Sequence, residues 1–126
     1  PDANVSCTRR VRSNTPLQAL TLANDRAFVE VAQGLAARVL REGPPSDLGR
    51  IRFAFRTCLA REPQEVESRN LAAFLQSQRN RFEQAATEAE SLAPKPLPEN
   101  SAAAEAAAWT AVARVLINLD EFITRE

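Results

Sequence analysis

Near the carboxyl end, Trp109 to Ile123 (WTAVARVLINLDEFI) is apolar at most positions. Arg114, Asn118 and Glu121 fall at i, i+4 and i+7 and form only a thin polar seam. A surface helix shows a broad polar face, so this pattern predicts a helix enclosed by others. Earlier in the chain, Phe28, Val31, Ala32, Leu35 and Val39 keep helical spacing and predict a second helix, ended by Gly43-Pro44-Pro45. A third carries the stripe Ile51, Ala54, Phe55, Cys58 and Leu59, opened by Ser46 or Asp47 as cap. A long polar helix is expected over about 63–90, with Leu71, Phe74, Leu75 and Phe82 on a narrow stripe and its distal end projecting from the core.

Between these segments the punctuation is local. Asn14-Thr15-Pro16-Leu17-Gln18 has Thr15 as cap, Pro16 at the first helical position and Gln18 at the reciprocal box position, predicting a short helix to about Ala23. Asn24-Asp25 interrupts it. Residues 1–13 lack periodicity and read as an extended basic arm bearing Arg9, Arg10 and Arg12. Three alternating prolines make residues 93–100 a stiff surface connector, after which Asn100 or Ser101 opens the last helix. No strand pair or internal repeat is visible. The expectation is one all-α domain over 1–126, a bundle of about five helices around the carboxyl-terminal one.

Composition narrows the function. Sixteen basic residues balance sixteen acidic ones, which speaks against a nucleic-acid binder. The balance conceals a split: residues 1–61 hold ten Arg against five acids, and residues 62–126 hold six basic residues against eleven acids. The two halves read as complementary faces of one fold. No apolar run reaches the ~18–20 residues of a membrane span. The absence of Met suggests a piece of a longer parent.

Three segments carry a resemblance: Cys7-Thr8-Arg9-Arg10 with Asn14-Thr15-Pro16-Leu17-Gln18-Ala19-Leu20 and Asn24-Asp25; Ala54-Phe55-Arg56 with Arg61 and Pro63; and Asn118 to Glu126, NLDEFITRE. Together they resemble the C-terminal domain of unknown function of planctomycete multidomain surface proteins that also carry a cytochrome c-like domain. The resemblance implies an exported, periplasmic or cell-envelope parent and assigns no activity. Arg26 departs from it, standing where that family often has proline, so one bent helix across 15–42 remains an alternative to two.

The candidate chemistry is sparse. With no His, the chain cannot form Ser-His-Asp or Cys-His sites, His-ligated zinc or a CxxCH haem attachment. No cofactor is therefore expected in this chain, and any c-type haem belongs elsewhere in the parent. Cys7 and Cys58 are either two thiols or a disulfide, which export would permit. Closing that ~51-residue loop would contribute roughly 4 kcal/mol. Asp120 and Glu121 lie where a helix dipole disfavours negative charge. Either Asn118 caps a fresh final turn, or the acids pair with Arg9, Arg10 or Arg12. As a metal or catalytic pair they are poorly placed, because neighbouring helical positions point about 100° apart. Arg12, Asn14, Thr15, Gln18, Asn24 and Asp25 form a polar cluster that could line a pocket, although capping and turn roles account for all but Arg12.

The reading that results is a non-catalytic structural or interaction module whose partner is the preceding domain of its parent. An anionic-glycan binding module is second. An enzyme domain completed by residues from an upstream domain is third.

Overall fold

The computed structural model describes residues 26–124, and for 120–124 the backbone alone. Among these residues there is no strand, and five helices follow one another: α1 (Arg26–Glu42), α2 (Asp47–Leu59), α3 (Glu65–Glu83), α4 (Ala86–Leu92) and α5 (Ala103–Thr124). The all-α bundle expected from the pattern is present among the described residues. The predicted helix over 15–23 lies outside the described residues, and the helix predicted over 63–90 is two.

α5 packs against every one of the other four helices. Ala106, Ala107, Ala108, Trp109 and Thr110 are all buried. Successive helical residues point about 100° apart, so five in a row without exposure mean that α5 is enclosed on every side there. Alanine makes this enclosure feasible, since its small side chain lets neighbouring helices approach closely. Beyond the alanines, Trp109, Val112 and Leu116 share one core with Val39, Ile51, Phe55, Leu75 and Phe82. Each fully buried side chain of this size contributes about 1.5–3 kcal/mol. Thr110 satisfies its hydroxyl by donating to the Ala106 carbonyl at 2.9 Å.

Enclosure stops part-way. Val115 is 40% exposed and Leu119 36%, so the expectation of a helix covered on nearly every side holds for the first half of α5 only. α4 has seven residues against twenty-two in α5 and is too short to cover it throughout. The helix also runs unbroken through Asn118 to Thr124, which excludes the fresh turn capped by Asn118. It begins at Ala103 rather than at Asn100 or Ser101. Those two residues belong to a turn in which the Ser101 N–H donates to the Pro98 carbonyl at 3.2 Å.

In α1 the buried positions are Ala32, Ala36, Ala37 and Val39. Val31, placed on the core stripe by spacing alone, is 58% exposed. The small residues of α1 turn inward, and Val31 falls on a flank. α2 keeps its predicted stripe: Ile51, Ala54 and Phe55 are buried, with Cys58 and Leu59 packed at its margin. Ser46 is its cap, and its Oγ accepts from the Gly49 N–H at 3.0 Å.

The projecting distal helix is a correction. α3 ends with tight turns, Gln84 N–H to the Arg81 carbonyl and Ala85 N–H to the Phe82 carbonyl, and α4 then leaves in a new direction. Ala89 is 1% exposed, and α4 packs on α5. The distal segment is therefore part of the core and does not project from it. The proline segment is non-helical as expected, yet Ala93, Pro94 and Pro98 are buried, so it is partly wedged into the bundle. Gln33 reaches its start from α1, its Nε2 donating to the Leu92 carbonyl at 2.9 Å and to the Ala93 carbonyl at 3.3 Å. Among the described residues no helix is long and apolar enough to cross a membrane.

Candidate functional site

Charged side chains gather at one corner of the bundle. Arg79 of α3 donates through Nη1 and Nη2 to the two Asp47 oxygens, both at 2.8 Å. Its Nε and Nη2 donate to the two Glu105 oxygens at 2.7 and 2.6 Å. Trp109 Nε1 adds a bond to Glu105 Oε2 at 3.0 Å. Asp47 opens α2 and Glu105 lies in the first turn of α5, so each carboxylate also meets the positive end of a helix dipole. The hydrogen bonds from Arg79 hold the Asp47 carboxyl below the usual range against partial burial. Those same bonds to Asp47, then to Glu105, hold the proton on Arg79 more tightly than in free arginine. Every guanidinium nitrogen is occupied, so the cluster joins three helices and leaves no Arg79 donor free for a ligand.

The corner between α2 and α3 is built in the same way. Arg61 grips Glu67 with two hydrogen bonds of 3.0 Å and lies over the Phe55 ring, 4.7 Å from its centroid. Glu67 in turn accepts from the Gln64 N–H at 2.8 Å. Arg61 and then the Gln64 N–H lower the Glu67 pKa. Arg52 and Arg56 both pair with Glu62. The segment from Ala54 to Pro63 is thereby explained as a joint.

A different kind of surface lies where α3, α4 and α5 meet. A groove of about 520 Å³ opens there, within the size range of ligand sites. Phe74, Leu92, Ala111 and Val115 supply apolar lining. Gln78 from α3 and Asn118 from α5 add two half-buried amides, and no hydrogen bond to either is formed among the described residues. The charges at the groove are committed: Arg81 pairs with Glu88 at 3.0 Å and lies over the Phe82 ring, and Arg114 is likewise engaged. These groups can hold a surface by apolar contact and hydrogen bonding.

Of the residues singled out from sequence, Cys7, Arg9, Arg10, Arg12, Asn14, Thr15, Gln18, Asn24 and Asp25 lie outside the described residues. Asp120 and Glu121 are placed on α5 by their backbone only. Cys58 is half-buried on the last turn of α2. The disulfide and the pairing of the termini therefore fall outside what is described. Sequence reasoning missed the groove and the Arg79 cluster. Spacing along the sequence places Asn118 in a polar seam, but its relation to Gln78 depends on how α3 and α5 pack. No group of three or more potential metal ligands occurs among the described residues.

A family model described as PSD1, protein of unknown function (DUF1553), matches residues 1–75. The chain belongs to this DUF1553 family. Two of the three segments that carried the resemblance fall within the match, and NLDEFITRE lies beyond it. The matched stretch takes in α1, α2 and the first half of α3. Of the groove residues it includes Phe74 alone. No curated protein and no solved structure matches the chain.

Proposed function

We propose that this DUF1553 domain is a non-catalytic interaction module of an exported, cytochrome c-linked multidomain protein, and that its α3–α4–α5 groove docks the preceding domain of that parent. The observation that carries the reading is the character of the groove: two half-buried amides with no partner among the described residues, set beside half-buried apolar side chains and the exposed Val115, with the neighbouring charges engaged. These are groups that bind; the charged groups elsewhere hold helices together. The cytochrome link, any haem c in another part of the parent, and the envelope location rest on the resemblance of the quoted segments.

An anionic-glycan ligand draws less support, because Arg38, Arg52, Arg56, Arg61, Arg69, Arg79 and Arg81 each have a carboxylate partner. Hydrogen exchange tests the docking. Amides of 74–92 and 111–118 should exchange more slowly in the intact parent than in this chain alone. Equal exchange in the two would sink the proposal.

A further inference from the structure

We infer that the element accepted by the groove is an extended, uncharged peptide segment with apolar side chains at alternate positions; this rests on the docking reading above. The two amides decide the backbone conformation of the occupant. Gln78 and Asn118 stand on different helices lining one groove, and each can both donate and accept. Leaving them buried without partners beneath a hydrocarbon surface would cost binding. The backbone of a helical partner is already hydrogen-bonded to itself and offers them little. An extended segment presents free N–H and C=O groups, the complement of a side-chain amide.

Charge selects against ionised occupants. Arg81 and Glu88 neutralise one another at the groove, and Arg114 is engaged. The exposed Arg81–Glu88 pair already balances its own charge, so it offers a carboxylate or ammonium no dedicated counterion to offset the loss of its water. Spacing then sets the side-chain pattern. Ala111 and Val115 line the groove, and Leu119 continues the row one turn on; Val115 and Leu119 are both exposed. Four helical residues advance about 6 Å, and alternate residues of an extended chain are about 6.6 Å apart. Apolar groups at every second position of the peptide therefore meet successive turns of α5.

The test is selection from a random dodecapeptide display library on the intact chain, followed by fluorescence anisotropy with the enriched synthetic peptides. Uncharged sequences with alternating apolar residues should emerge. Gln78→Leu and Asn118→Leu should each weaken binding about 5- to 20-fold, in line with the loss of one hydrogen bond. Methylating the peptide backbone nitrogens one at a time should reveal positions with a similar loss, a readout independent of how the variants fold. Val31→Ser, on an exposed flank of α1, should leave binding unchanged. Helix-patterned peptides indifferent to Gln78→Leu and Asn118→Leu would overturn this inference while leaving the docking reading intact. Failure to enrich any peptide sensitive to Val115→Asp would also overturn it, and the exchange experiment would then judge the docking reading separately.

Discussion

Replacing Arg79 by methionine tests the account of what holds the bundle together. Methionine keeps an unbranched side chain and helix propensity but removes the cation shared by Asp47 and Glu105. Arg79 makes four hydrogen bonds of 2.6–2.8 Å to these carboxylates, and its side chain is 18% exposed. Exposed ion pairs contribute about 0–1 kcal/mol, and breaking a buried pair costs about 3–5 kcal/mol. Asp47 and Glu105 are 45% and 28% exposed, which places the cluster between these limits. The expected loss at neutral pH is therefore about 3 kcal/mol, or about 10 °C in Tm for a chain of this size.

The assay can use the sole Trp, since Trp109 is 1% exposed and bonded to Glu105. Its emission should follow urea unfolding in both proteins. The sign of the pH dependence is fixed by Asp47, whose pKa is lowered on folding, first by its hydrogen bonds from Arg79. A depressed carboxylate contributes stability above its unfolded pKa of about 4 and loses it as the pH falls through the folded value. Arg79→Met abolishes that contribution. The gap between wild type and variant should be widest near pH 7 and shrink once the pH falls below about 4. A loss below about 0.5 kcal/mol at neutral pH, or a gap that does not change down to pH 3, would refute the reasoning.

Three further outcomes follow from the packing. Ser46→Ala removes the acceptor of the Gly49 N–H and should cost about 1 kcal/mol by urea denaturation, with Ser46→Gly costing less. Gly43→Ala would place a Cβ 2.7 Å from the Val39 carbonyl oxygen and 3.3 Å from Arg50 Cγ, so its Tm should fall despite the lower chain entropy of alanine. Leu116→Ala empties a fully buried position on α5 and should cost about 2–5 kcal/mol, while Leu119→Ala, three residues on at 36% exposure, should change the unfolding midpoint far less.

Much of the helical layout was legible because its signals act within a few residues. Ser46 caps α2 by bonding three residues ahead, and Gly43-Pro44-Pro45 separates α1 from α2. Periodicity identified Ile51, Ala54 and Phe55 as one buried face, and the apolar character of Trp109 to Ile117 marked α5 as the central helix. The error at Val31 shows where periodicity stops. A stripe defines a face to within about one residue's turn, and the neighbouring helix chooses between valine and alanine by how closely it can approach.

What the chain could determine by itself was its helical class, the helix ends around residues 42–47 and the choice of α5 as centre, because caps, breakers and apolar spacing are properties of adjacent residues. Only tertiary structure decided that the helix predicted over 63–90 breaks after Glu83, that Arg79 collects carboxylates 32 and 26 residues away, and that Gln78 and Asn118 line one groove. Each of these depends on the positions of helices relative to one another. Those positions follow from packing Trp109, Phe55, Leu75 and Leu116 into a single dense core, and no short stretch of sequence contains that information.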